Sequence, residues 1–137
     1  MAAISVMAGI LVGMTGTAAT AAVVYGAWET VWNVGAYDYK ARPSANSNGT
    51  KPSGGLTVSS SPTAPAGWQG ASARLWRGNA LCGSASRVLT TQSVTIISRT
   101  VAKDCGSGEY RGSGFGYAYY SGDYRSHQSA RSPIVIW

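Results

Sequence analysis

The clearest alternation of small and large side chains lies between Tyr110 and Tyr120. In an extended strand its even-numbered positions, mostly glycine and alanine, lie on one face, and Arg111, Tyr117 and Tyr119 lie on the other. Glycines leave no side chain to pack, so another strand, an aromatic ring or a ligand must approach that face closely. We expect an aromatic ring from another strand to cover it.

Other stretches also favour strands, because they are rich in aromatic and β-branched residues and are bounded by glycine-containing turns. Ser121-Gly122-Asp123 is a hairpin turn signal. Trp28, Trp32 and Trp76 are expected in the core. The further predicted strands cover residues 25–40, 68–76, 87–103 (two strands or one long bent strand), 124–130 and 134–137.

Residues 41–66 interrupt this pattern. Four of the five prolines fall here, among serine, asparagine, glycine and threonine. Such a composition is typical of segments that bury little apolar surface. The sequence therefore predicts a long, exposed Pro/Ser/Gly-rich loop at 41–66, with a short strand at Leu56–Ser60 inside it.

Six or seven short strands with glycine-rich turns and no convincing helix define the predicted fold class. We expect a single all-β domain over residues 22–137, built as a small antiparallel β-sandwich or barrel. The chain of 137 residues suits one domain.

The amino-terminal residues 1–21 read as a signal peptide, which makes the predicted localisation secreted or extracellular. An apolar run is followed by Ala19-Thr20-Ala21, the small-x-small pattern that signal peptidase cleaves. No lysine or arginine precedes Lys40, whereas signal peptides usually begin with basic residues. The alternatives are an uncleaved membrane anchor over 2–24 and a buried structural element.

The two cysteines, Cys82 and Cys105, are expected to form one disulfide, because an even pair in an exported protein is usually oxidised. Half of a metal site is the rival interpretation, and it would need further histidine or cysteine ligands. His127 is the only histidine. We therefore predict neither a metal nor a cofactor.

Composition argues against several other classes of protein. Charged residues make up 12%, too few for a coiled coil, and aromatic residues make up 10%, too many for a charge-driven disordered tail. His127 lies between Arg125 and Arg131 without an evident nucleophile or acid partner. No phosphate-binding loop or metalloprotease motif is present. We predict that the protein is not an enzyme, and a secreted hydrolase using Glu29 or Glu109 is the less favoured alternative.

Binding is better supported by the residues available. Five tryptophans, eight tyrosines and a net charge of +6 suit sugar rings and anionic polymers. Candidate contact residues are Arg111, Tyr117, Tyr119, Tyr124 and Arg125. The expected function is a small binding protein acting in antagonism or inhibition.

Its expected partners are an anionic envelope polymer or surface, a glycan or polysaccharide, or another secreted protein. Nucleic acid is not expected, because the basic residues are dispersed and an exported protein meets little of it. Membrane contact is expected only with an uncleaved leader. The alternative is a structural subunit of a surface layer, particle or filament, a homo-oligomer whose edge strands and apolar tail 134–137 pair across copies.

The Ala/Gly/Thr-rich leader and the Ser/Gly/Tyr-rich remainder resemble small exported bacterial proteins. The stretch AVVYGAWETVW resembles the mature starts of lactococcin-like bacteriocins over about a tenth of the chain. The length and the carboxyl end of the chain differ from those of that family, and the resemblance identifies no functional residue.

Overall fold

The computed structural model describes residues 22–137, and within them every regular element is a β-strand. The predicted signal peptide at 1–21 lies outside the described residues. No helix in the described part of the chain is long and apolar enough to span a bilayer. The strands are β1 (Val23–Tyr25), β2 (Glu29–Val34), β3 (Tyr37–Asn46), β4 (Ser53–Ala64), β5 (Gln69–Arg77), β6 (Ala80–Leu89), β7 (Val94–Ala102), β8 (Glu109–Ser113), β9 (Phe115–Tyr120), β10 (Asp123–Gln128) and β11 (Val135–Ile136).

These strands form two antiparallel sheets that pack face to face, which confirms the all-β fold and makes it sandwich-like rather than a barrel. In the first sheet β4 lies between β7 and β3, and the far edge of β3 pairs with both β1 and β2. In the second sheet β5 lies between β6 and the consecutive strands β8 and β9. Strands β11 and β10 then pair with β8 and β9, respectively.

The interior is filled mainly by small side chains. Ala41 of β3 packs with Ala71 of β5, and Ala45 and Ala73 of the same two strands are also buried. Larger buried side chains, including Leu56 and Leu75, fill the space around them. Small inward residues allow the two sheets to approach closely, since less side-chain volume separates the backbones.

The closest approach lies at Gly112 of β8. A Cβ atom on Gly112 would lie 1.8 Å from the Ser44 carbonyl oxygen and 2.6 Å from the Gly55 nitrogen. A Cβ atom on Gly54 would lie 2.7 Å from the Gly112 Cα. The expectation that an aromatic ring covers this glycine face is therefore wrong at Gly112, where the backbone of the opposite sheet occupies the space.

The predicted loop at 41–66 is also wrong, because most of it forms the paired strands β3 and β4. Ala41, Pro43 and Ala45 are buried, and they alternate with the partly exposed Arg42 and Ser44. Buried and exposed positions do alternate, but the buried residues are alanine, proline and glycine. A pattern built from such weakly hydrophobic residues is hard to distinguish from a loop.

Pro43 is tolerated within a strand because of a local break in the sheet edge. Its carbonyl oxygen accepts a hydrogen bond from the Gly26 nitrogen at 2.9 Å, so this side of Pro43 faces the gap between β1 and β2. The missing N–H of proline points to the same gap, where no ladder hydrogen bond is lost. Proline is thus compatible with this strand only because β1 and β2 are separate.

Several local predictions are confirmed. The region 87–103 contains parts of two strands, β6 and β7, and the Ser121-Gly122 turn joins Tyr120 to its partner Asp123. Cys82 and Cys105 form the disulfide. The apolar tail pairs with β8 of its own chain, and Trp137 exchanges two backbone hydrogen bonds with Gly108.

The tryptophans do not occupy the core as expected. Trp28 is 42% exposed, and Trp32 and Trp76 are half-buried. The fully buried aromatic residues are Tyr39 and Tyr110. Tyr110 donates its hydroxyl proton to the Gly106 carbonyl and accepts from the Cys105 nitrogen at 2.9 Å, which satisfies its polar end beside the disulfide.

We predict that Gly112→Ala destabilises the fold by at least about 3 kcal/mol, because the added methyl overlaps the backbone of β3. Urea denaturation followed by tryptophan fluorescence measures the loss. Gly49→Ala is the matched control, since a Cβ atom there would meet only ordinary contacts of 3.5 Å or more. Equal stability of the two variants would contradict the backbone contact.

A second prediction concerns alkaline pH. Burial, together with a smaller effect of the nearby Tyr37, raises the pKa of the Tyr39 hydroxyl from 10.0 to about 12. The unfolded chain therefore loses this proton first, so stability is fully present below pH 10 and falls as the pH approaches 12. The loss is about 2–3 kcal/mol. Stability of Tyr39→Phe, measured by urea denaturation over the same pH range, should fall less steeply; parallel curves would exclude Tyr39 as the cause.

Candidate binding face

The outer face of the second sheet carries most of its large aromatic and cationic side chains. Tyr110, Gly112, Gly114, Gly116 and Ala118 face inward, so the intervening positions of β8 and β9 face outward. We call this surface the aromatic–arginine face. It consists of Arg74, Trp76, Arg87, Arg111, Phe115, Tyr117, Tyr119, Tyr124 and Arg131.

The arginines of this face lie over aromatic rings. The Arg131 guanidinium carbon is 3.9 Å from the Trp76 ring centroid, and that of Arg74 is 5.1 Å from the Phe115 centroid. Arg87 lies 5.1 Å from the Tyr117 centroid. Each contact is within the range of cation–π attraction, which favours a guanidinium placed over the face of a ring.

Tyrosines continue the same surface at its other end. Tyr119 and Tyr124 are directly paired across β9 and β10, and their ring centroids are 4.8 Å apart. Arg87 also lies 5.6 Å from the Tyr124 centroid. The Tyr124 hydroxyl donates a hydrogen bond of 2.7 Å to the Gly67 carbonyl, which fixes the ring. The strip from Arg111 to Tyr119 is about 26 Å long, at about 3.3 Å per residue.

The positive charge of this face is not neutralised by neighbouring acids. Within residues 22–137 the ion pairs are Lys40–Asp38 and His127–Glu29, so no arginine of the face has a carboxylate partner. Asp104 accepts a hydrogen bond from the Gly106 nitrogen. Arg131 donates a hydrogen bond of 3.4 Å to the Asn79 side chain. The charges of these arginines are thus available to an external anion.

The structure brings together some of the predicted contact residues and separates others. Tyr117, Tyr119 and Tyr124 form one cluster. Arg111 shares their face, as expected, but it lies at the opposite end, beside Trp76 on β5. There Gly78, Asn79, Glu109 and Arg111 line a shallow depression.

Arg125 does not belong to the cluster. It is paired with the buried Ala118, so its side chain leaves β10 on the side opposite to Tyr124. Its guanidinium carbon lies 4.9 Å from the Trp32 ring centroid, over β2 of the other sheet. Sequence adjacency placed Arg125 with the tyrosines, but strand alternation separates it from Tyr124.

Sequence reasoning missed Arg74, Trp76, Arg87 and Phe115 as contact residues. Arg74 and Trp76 could have been found, because they have the same parity on a predicted strand. Arg87 could not: it lies in a β-bulge, where Ser86 and Arg87 together oppose Ser72 of β5. A bulge redirects side chains and leaves no clear sequence signal.

Glu29 and His127 form a contact that the sequence did not indicate. Glu29 Oε1 lies 2.8 Å from His127 Nε2, and Glu29 Oε2 accepts a hydrogen bond of 3.0 Å from the Ala130 nitrogen. Because β2 and β10 belong to different sheets, the carboxylate fastens one sheet to the other. Both carboxylate oxygens are engaged, which is typical of a structural clip.

The described residues provide few ligands for a metal ion. No group of three or more histidine, cysteine, aspartate or glutamate side chains in residues 22–137 is placed to hold a metal ion. Both cysteines of the chain are in the disulfide.

In comparisons with known proteins, the chain matches no family model and no curated protein.

We predict that Glu29→Ala lowers the free energy of unfolding by about 1–3 kcal/mol, because it leaves the His127 ring and the Ala130 N–H without their partner. Thermal denaturation by circular dichroism measures this. Glu109→Ala, which removes an exposed carboxylate of another strand, is the control and should be near neutral. If both variants melt alike, the clip is energetically unimportant.

Proposed function

We propose that this protein is a secreted, non-enzymatic binding protein whose aromatic–arginine face binds an anionic polysaccharide or envelope polymer. The observation that carries the proposal is a set of stacked arginines without carboxylate partners in the described chain. This arrangement provides both charge and flat apolar surface.

Stacking determines how each arginine can interact. A ring under the guanidinium plane occupies one of its faces, so the N–H donors at its edge remain for oxyanions. The neighbouring tyrosine rings can stack on sugar rings. Carboxylate- or phosphate-bearing sugars present both kinds of group, which makes an anionic glycan a better match than a neutral one.

The shape of the face supports an extended ligand. The candidate residues are spread along strands β5, β8 and β9 rather than gathered in a deep cavity, and the strip is about 26 Å long. A polymer can contact several arginines in succession, and many weak contacts then add to useful affinity. Small metabolites usually require concave pockets instead.

Two further observations support the non-enzymatic and exported parts of the proposal. The only histidine is held by Glu29 in a contact between the sheets, away from the aromatic–arginine face. The Cys82–Cys105 disulfide is typical of proteins that mature in oxidising compartments.

The proposal predicts that Arg74→Gln/Arg87→Gln weakens binding to an anionic envelope polymer, with teichoic acid as the probe, by about tenfold or more. Isothermal titration calorimetry measures the affinity. Binding of the unaltered protein should also weaken as salt is raised, because the contacts are partly solvent-exposed.

Lys51→Gln/Lys103→Gln is the matched control, since it removes two exposed positive charges that do not belong to the aromatic–arginine face. It should bind almost as tightly as the unaltered protein. Equal losses in both variants would indicate a general charge effect. Tight binding to the neutral polymer dextran, or no loss in the double variant, would overturn the proposal.

A further inference from the structure

Arg42 occupies an unusual position on the outer face of the first sheet. Its guanidinium carbon lies 4.0 Å from the Tyr25 ring centroid and 4.7 Å from the Trp28 ring centroid. The two rings come from the end of β1 and from the residue before β2, so one short connection supplies both. Arg42 is therefore in contact with two aromatic rings at once.

Local backbone geometry brings these rings to Arg42. A Cβ atom on Gly26 would lie 2.6 Å from the Pro43 side chain, so only glycine allows the connection to run this close to the edge of β3. The Gly26 nitrogen also donates to the Pro43 carbonyl. Pro43 immediately follows Arg42 in β3.

The charge on Arg42 has no partner among the described residues. The nearby carboxylate on the same strand, Asp38, is paired with Lys40 at 3.7 Å. The Arg42 Nε atom is buried and has no hydrogen-bond partner. By contrast, Nε of Arg77 and Nε of Arg99 donate to backbone carbonyls. Among the described residues, no carboxylate or carbonyl oxygen accepts a hydrogen bond from the Arg42 guanidinium.

The surroundings favour a ligand with several acceptor oxygens. Lys40 lies two residues along the same face, and Thr57 is the cross-strand partner of Arg42. The Thr57 hydroxyl is 2.8 Å from the Ser98 hydroxyl, which extends the polar surface to β7. A guanidinium beside hydroxyl groups suits a tetrahedral oxyanion.

We propose that Arg42, held between Tyr25 and Trp28, is a phosphoryl-binding site on the first sheet, separate from the aromatic–arginine face of the second. The aromatic rings orient the guanidinium, whose edge binds the phosphate oxygens. Because the two surfaces lie on opposite sides of the sandwich, variants of one leave the other intact.

The test is a titration of the isotopically labelled protein with inorganic phosphate at constant ionic strength, followed by nuclear magnetic resonance. We expect saturable shifts of the Arg42 Nε–H and Trp28 indole N–H signals. Arg42→Lys should bind phosphate at least about tenfold more weakly, because an ammonium keeps the charge but lacks the guanidinium fork. Tyr25→Ala/Trp28→Ala should weaken binding about threefold or more, because the guanidinium is no longer oriented.

Arg99→Lys on the same sheet is the control and should titrate like the unaltered protein. An equal response to chloride or acetate, or an unchanged titration in Arg42→Lys, would overturn this proposal. Retained phosphate binding in Arg74→Gln/Arg87→Gln is expected, so failure of the polymer-binding proposal and failure of this one are distinguishable.

Discussion

The contact between the two backbones at Gly112 determines how the rest of the sandwich is built. Where Gly112 meets Ser44 and Gly54, no side chain separates the sheets. Many of the inward positions are alanine and glycine, which allows this close approach. Larger inward side chains flank the contact, as with Leu75 opposite Gly112 and Tyr110 two residues before it. Most of the remaining aromatic side chains lie on the outer faces or at the ends, where they are available for binding.

Polar contacts hold the thin sandwich in this arrangement. The segment after β10 runs beside the glycine positions: Ser129 bonds to both backbone groups of Gly114, and Ser132 does the same for Gly112. Glu29 fastens that segment to the first sheet through the Ala130 nitrogen. The glycines are thus held on both sides, and β8 and β9 present a continuous outer face. A rigid face of this kind favours binding because little conformational freedom is lost.

Much of the fold could be predicted because alternation and turn chemistry are local properties. The glycine–aromatic alternation of 110–120, the Ser121-Gly122 turn and the cysteine pair all indicated the observed structure. The strands β3 and β4 could not be recognised, because hydrophobicity is a weak signal when inward residues are alanine, proline and glycine. Of the candidate site, Tyr117, Tyr119 and Tyr124 were correctly grouped, whereas Arg125 belongs to the other side of its strand.

The sequence by itself determined the class of fold, the covalent link between Cys82 and Cys105, and an excess of arginine and aromatic rings over acids. Only the tertiary structure decided which arginine meets which ring. The position of Arg87 over Tyr117 depends on the bulge in β6, and the enclosure of Arg42 depends on the contact of Gly26 with Pro43. In both cases the guanidinium and its ring come from segments that are distant in the chain. Their geometry is decided by how two sheets fit together, and no local pattern encodes it.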